Sequence, residues 1–304
     1  MRSIRASLAA NIGELIAGST YVQSSIGPNQ ELLVLSFDRP FPYDRSQASP
    51  PSGPLVYKIH RLGSAGWELA QTLEPNGKRY SFAQPLPGGR WLLVEGRLAP
   101  DRSPNADIFD EKGKLLSSIL AGDGISHVQT TLAGDIWIGY FDEGVYSGGE
   151  LEQSGLVCLT ERGQPCLRYW LDIAEPNGLP CIDDCYAINV SGENEVWAAY
   201  YSHFPVVRLR DKRFDKAWLD FPAKAVRAFA VDADRLLMTP AYRREGPLYL
   251  AKLHDSSIEE IQVLDSLGHP LHFDLSFGRG PLLCFASLKT PEDRRLSTID
   301  LRTF

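Results

Sequence analysis

The sequence predicts an all-β fold: a six-bladed β-propeller of four-stranded antiparallel blades, with the last blade closed by the N-terminal strand. Three observations predict it. A turn followed by a short apolar strand recurs six times along the 304 residues. In the strand that ends most units, Leu73, Leu120, Leu171, Leu219 and Leu264 follow one another at intervals of 47, 51, 48 and 45 residues, the period of a circular or stacked array. Finally, the sixth unit ends one strand short, while an unassigned strand-like segment stands at the N-terminus.

The elements follow in order. Residues 3–11 (SIRASLAAN) resemble 116–123 (LSSILAGD) and are assigned to the vacant edge of the last blade, where they cover backbone that would otherwise template aggregation. The first unit reads as strands at 20–27, 28–37, 54–61 and 67–74, the second at 79–86, 87–96, 105–113 and 115–122. The third occupies 126–133, 133–141, 155–163 and 166–173, and the fourth 185–192, 192–201, 204–212 and 215–221. The fifth spans 227–234, 232–241, 247–255 and 258–265, and the sixth 272–279, 278–287 and 296–304. Apolar residues in short runs, divided by Gly, Asn, Asp and charged turns, are the mark of hairpin-connected strands. Four such strands per unit and six units define the propeller, read as one domain over 1–304.

Trp91, Trp137 and Trp197 fall in second strands, and Trp67, Trp170 and Trp218 in outer strands. Side chains of this size fill the wedge between twisted sheets, so they are assigned to the core. Residues 122–145 (GDGISHVQTTLAGDIWIGYFDEGV) carry Asp123, Gly124 and Ile125 before one strand, then Trp137, Ile138, Gly139 and the loop glycine Gly144. This pattern resembles the repeat of two-component-regulator-type propellers, and a weaker copy at 177–201 has Gly178, Leu179, Val196 and Trp197. The resemblance covers two of the six blades and implies the fold and a ligand-binding habit. It names no catalytic residue.

Charge and composition exclude several classes. Thirty-one basic against 38 acidic residues give a net charge of -7 with the signs interspersed, which argues against a nucleic-acid surface. No apolar run approaches the roughly 18 residues of a membrane helix, and the N-terminal apolar residues are interrupted before a signal-peptide core forms. The expectation is a soluble, cytoplasmic protein. The five cysteines, Cys158, Cys166, Cys181, Cys185 and Cys284, fit reduced thiols in such a compartment. Cys181 and Cys185 are the only close pair in sequence, and Cys158 with Cys166 is too widely spaced to be a second zinc knuckle.

In a propeller, the second-to-third loops and the outer-to-inner loops share one rim, where ligands commonly meet the fold. The second-to-third loops are unequal and rich in Tyr, Arg and acids: Tyr43, Asp44, Arg45, Arg102, Asp142, Tyr146, His203, Tyr242, Arg243 and Arg244 are the candidate binding residues. Tyr and Arg supply contact area and bidentate hydrogen bonds at recognition surfaces. The long outer-to-inner loop at 172–185 adds Asp172, Asp183 and Asp184, oxygen ligands suited to a hard cation although such loop carboxylates are more often only solvated. His127 sits on an innermost strand near the channel, where a satisfied structural histidine is the default reading. No nucleophile elbow, P-loop, zinc-helix or dinucleotide motif is present, so neither a catalytic residue nor a cofactor is assigned. The leading expectation is a non-catalytic propeller that binds a protein partner as scaffold, sensor or inhibitor, with a small-molecule ligand left open. The alternative is a metal-dependent hydrolase or lactonase, which requires carboxylates from several blades to converge at the channel.

Overall fold

The computed structural model describes the chain except residues 1, 40–52, 64–65, 75–76, 220, 222, 241–246, 256, 289, 291–293 and 304. Two short strands come first, β1 (Arg2–Arg5) and β2 (Ser7–Asn11). Blade one is β3 (Thr20–Ile26), β4 (Leu32–Phe37), β5 (Tyr57–Gly63) and β6 (Gly66–Leu73). Blade two is β7 (Tyr80–Leu86), β8 (Arg90–Glu95), β9 (Ala106–Phe109) and β10 (Leu115–Ile119). Blade three is β11 (Ile125–Thr130), β12 (Ile136–Tyr140), β13 (Leu156–Leu159) and β14 (Pro165–Arg168). Blade four is β15 (Asp184–Val190), β16 (Glu195–Tyr201), β17 (Val206–Arg210) and β18 (Arg213–Trp218). Blade five is β19 (Val226–Asp232), β20 (Arg235–Pro240), β21 (Leu248–Lys252) and β22 (Ser257–Leu264). Blade six is β23 (Leu275–Arg279), β24 (Leu282–Leu288) and β25 (Arg294–Asp300), completed by β2.

Consecutive strands pair antiparallel within every blade, and the innermost strands touch in sequence around the ring, with β23 against β3. The N-terminal closure is as expected for β2, which pairs antiparallel with β25. The first half of that segment behaves differently: β1 adds to the fifth blade, parallel to β22. One segment therefore ties the last two blades together. The third blade also departs from expectation at its outer edge, where β14 stops at Arg168 and Tyr169–Ala174 forms a π-helical turn.

Six apolar clusters lie at the six blade-to-blade interfaces. Trp91, Trp137 and Trp197 are buried in three of them, as their spacing predicts. They do not all face the same way. Trp91 packs toward blade one and Trp137 toward blade four, because a one-residue offset along a strand turns the side chain to the other face. Trp197 stacks on Trp218 at 5.6 Å, and the Arg208 guanidinium lies 5.1 Å from the Trp197 ring centroid, within cation–π range.

Near the ring axis the inner strands exchange polar contacts across the molecule. Gln129 of blade three donates to the Gly278 carbonyl of blade six at 3.0 Å and accepts from the Val190 N–H of blade four at 2.8 Å. Asn189 donates to the Phe229 and Gly280 carbonyls at 2.8 and 3.1 Å. Arg279 reaches from blade six to the Ile26 carbonyl of blade one, Gln84 of blade two and the Thr130 carbonyl of blade three. These bonds satisfy groups that would be costly to bury alone. Among the described residues no helix is long and apolar enough to cross a membrane.

Candidate functional site

The meander directs the second-to-third and outer-to-inner loops to one rim. Blades three and four contribute to it through the loop between β12 and β13 and the loop that leads into β15. The loop between β12 and β13 begins as a one-turn helix, Asp142–Val145, with Asp142 accepting from the Glu143 N–H at 2.8 Å. Gly124 and Gly144 meet backbone to backbone beneath it: a Cβ on Gly144 would lie 2.4 Å from the Asp123 carbonyl oxygen. Gly139 similarly leaves room for Cys185 of the next blade, whose sulfur would lie 2.8 Å from an added Cβ. The glycines of the 122–145 motif thus serve close packing.

The next loop, 169–183, is pinned from below. The Tyr169 and Tyr200 hydroxyls lie 2.8 Å apart, and the Tyr200 hydroxyl also donates to the Pro180 carbonyl at 3.1 Å. Across the gap between the loops, the Tyr146 hydroxyl donates to Asp183 at 2.6 Å, which pushes its pKa up to about 12. Beside this bridge, Tyr186, Tyr201 and Phe204 group together, with Tyr186 and Tyr201 stacked at 6.5 Å and Phe204 5.4 Å from Tyr201. Tyr146 is 70% exposed and Tyr201 45%. Large aromatic rings left at the surface mark contact sites more reliably than scattered aliphatics do.

The patch is acidic. Partial burial, reinforced by the nearby Asp142 charge, raises the Asp184 pKa to about 6. No Lys or Arg among the described residues forms an ion pair with Asp142, Asp183 or Asp184. Deeper in the channel wall, burial lowers the His127 pKa to about 4, and the neighbouring Arg227 charge contributes. The His127 Nε2–H faces the Cys185 and Tyr186 carbonyls at 3.1 and 3.0 Å. This histidine is a neutral hydrogen-bond donor between blades.

The other predicted residues fare unequally. Arg102 is committed to a loop tie, bonding the fully buried Glu152 carboxylate at 2.9 Å. Glu152 in turn accepts from the Asp123 N–H at 2.9 Å, so Arg102 anchors the blade-three loop to blade two. His203 is exposed on the turn after β16, where it and Phe204 have positive φ values of 65° and 54°. Tyr43, Asp44, Arg45, Tyr242, Arg243 and Arg244 lie outside the described residues. Asp172 does not join Asp183 and Asp184 in a cation site: it accepts from the Arg168 N–H at 2.7 Å, and the three carboxylates do not converge.

At the axis, where the hydrolase alternative requires converging carboxylates, the described residues place a cation and no carboxylate cluster. Arg279 is buried there among amides and carbonyls, and burial lowers its pKa to about 10. A cleft of about 350 Å³ opens on the opposite face, lined by Glu31, Pro87, Arg90, Trp91, Thr131 and Leu132. Three of its charged groups are spent on neighbours: Arg90 pairs with Glu161, Arg61 pairs with Glu68 at 2.6 Å, and Glu31 accepts from the Asn29 N–H at 2.8 Å.

Sequence reasoning missed two groupings. Asp142 and Asp184 come from different blades, so only the ring brings them together. Cys158 and Cys166, separated by a turn, face each other across β13 and β14 with sulfurs 3.0 Å apart. Their chain separation is that of hairpin partners, the signal that was available. Conversely, Cys181 is exposed and Cys185 buried, each free.

The ring and its rim define a six-bladed β-propeller with an aromatic and acidic patch over blades three and four. Among known proteins, the YxzG family model matches residues 157–290, less than half of the chain. No curated protein matches. The fold is similar to Kluyveromyces lactis Hsv2 at a TM-score of 0.52 and 8% identity, over 93% of this chain and 74% of that one. Saccharomyces cerevisiae Sqt1 gives 0.48 at 10% identity, over 99% and 86% of the two chains. Streptogramin B lyase gives 0.48 at 11% identity, over 93% and 94%. At such identities the likeness concerns the fold alone.

Proposed function

We propose that this chain is a non-catalytic recognition propeller that binds a protein partner, as scaffold, sensor or inhibitor, through the rim over blades three and four. The observation that carries the reading is the meeting of exposed rings, Tyr146 and Tyr201, with the carboxylates of Asp142 and Asp184 on pinned loops. Aromatic rings beside uncompensated negative charge suit a partner segment with Lys or Arg among apolar residues. The likeness of residues 122–145 to sensor-type propeller repeats agrees with a binding role. Five free cysteines agree with a reducing, cytoplasmic compartment.

The test is quantitative capture of partners by the tagged chain in cells that naturally produce it. Tyr146→Ala with Tyr201→Ala should lower recovery of one specific protein roughly tenfold, the loss of one modest hot spot. Leu132→Ala, on the opposite face, should leave it unchanged. Recovery that survives the tyrosine changes and falls with Leu132→Ala would place recognition on the other face.

A further inference from the structure

We propose that Cys158 and Cys166 are a reversible redox couple, closing to a disulfide across the outer hairpin of blade three. The two sulfurs lie 3.0 Å apart, about 1 Å beyond the length of a disulfide bond. The register places Cys158 opposite Leu167 and Leu159 opposite Pro165, leaving Cys166 as the extra residue of a bulge. That bulge turns the Cys166 sulfur back onto β13, where it also lies 3.3 Å from the Cys158 carbonyl oxygen. Cys166 is exposed and Cys158 fully buried, so the pair consists of an accessible attacking thiol and a protected resolving thiol.

The surroundings favour thiolate chemistry at Cys166. The Cys166 thiol donates to the Cys158 sulfur, and once Cys166 ionises the Cys158 S–H can donate in return. This stabilises the thiolate and holds Cys166 below its usual range, and the Lys212 ammonium adds to the effect. Lys212 reaches in from blade four to pair with Asp135 at 2.5 Å. The Asp135 carboxylate and both sulfurs lie within 4.8 Å of one another. That trio resembles part of a metal site, yet Lys212 already neutralises the carboxylate. Among the described residues no fourth donor joins it, and structural zinc takes four ligands.

With hydrogen peroxide as oxidant the steps balance. The Cys166 thiolate attacks one peroxide oxygen; an S–O bond forms, the O–O bond breaks and hydroxide leaves. The Cys158 sulfur then attacks the Cys166 sulfenic acid. The S–S bond forms, the S–O bond breaks, and the hydroxyl leaves as water with the Cys158 proton. Each sulfur loses one electron and the peroxide gains two. An external dithiol reverses the change by two exchanges and is itself oxidised. The bond would fasten β14 to β13 just before the turn that leads into the 169–183 rim loop.

The experiment uses the reduced full-length chain, treated with peroxide, alkylated under denaturing conditions and digested for mass mapping. The expected product is a Cys158–Cys166 cross-link about 2 Da lighter than the two thiol peptides, reversed by dithiothreitol, with Cys181, Cys185 and Cys284 still alkylated. Cys166→Ser, at an exposed position, should abolish the cross-link without unfolding the blade. In oxidised glutathione, Cys158→Ser should leave Cys166 as a mixed disulfide, and Lys212→Gln should slow Cys166 alkylation roughly fivefold at neutral pH. Independent alkylation of both thiols after oxidation would overturn the proposal. So would stoichiometric zinc that protects both thiols and is lost in Cys166→Ser, since it would make the trio a metal site.

Discussion

At the scale of single residues, three buried or half-buried titratable groups set the chain's response to pH and mutation. The folded Asp184 pKa of about 6 lies above that of an unfolded aspartate. Its contribution to stability is therefore full below about pH 4 and is lost as pH rises through 6. Asp184→Asn should stabilise the protein at pH 7.5 by about 1 kcal/mol, after allowance for its partial exposure, and by almost nothing at pH 4. Urea unfolding at the two pH values checks this; a gain independent of pH would contradict it. His127 has the opposite sign, since its folded pKa of about 4 lies below the unfolded value. Its contribution is present above about pH 6.5 and is lost as pH falls toward 4. Arg279 matters differently, because its guanidinium joins blades one, two and three to blade six. Arg279→Ala should cost about 3 kcal/mol or more in urea unfolding, through a cavity and orphaned carbonyls. Arg279→Lys should recover little, because one ammonium does not reproduce the planar fork.

At the scale of elements, the N-terminal pair of strands does two jobs with ten residues. β2 completes blade six antiparallel to β25, and β1 covers the outer edge of blade five parallel to β22. Ala6, between them, is buried in the cluster between blades five and six. A chain lacking residues 2–11 should expose two strand edges, and unpaired edges recruit other chains. Light scattering after size exclusion should then report a higher mass than for the full chain under the same conditions. An unchanged mass and melting temperature would mean that the closure contributes little. The loop elements follow a related logic: the buried Glu152, tied to Arg102, and the Tyr169–Tyr200 pair hold the rim loops to neighbouring blades.

At the scale of the whole molecule, the ring was legible in the sequence because turn chemistry and apolar runs repeat locally. Trp137 could be assigned to the core before any contact was known, whereas the close-packing role of the 122–145 glycines appears only in the fold. What stayed hidden depends on register or on neighbours far apart in sequence. The bulge that brings Cys166 onto Cys158, the blade offset that turns Trp91 away from Trp137, and the approach of Asp142 to Asp184 all arise only when strands pair and blades close. Arg102 was legible as a rim residue but not as a tie, since its partner Glu152 comes from another blade. The most direct test of the recognition rim is photo-crosslinking in cells, with benzoylphenylalanine placed in turn at Tyr146, Tyr201 and Leu132. The rim account predicts one discrete protein adduct from Tyr146 and Tyr201 and none from Leu132. An adduct from Leu132 alone would contradict it and move the binding face to the opposite side of the ring.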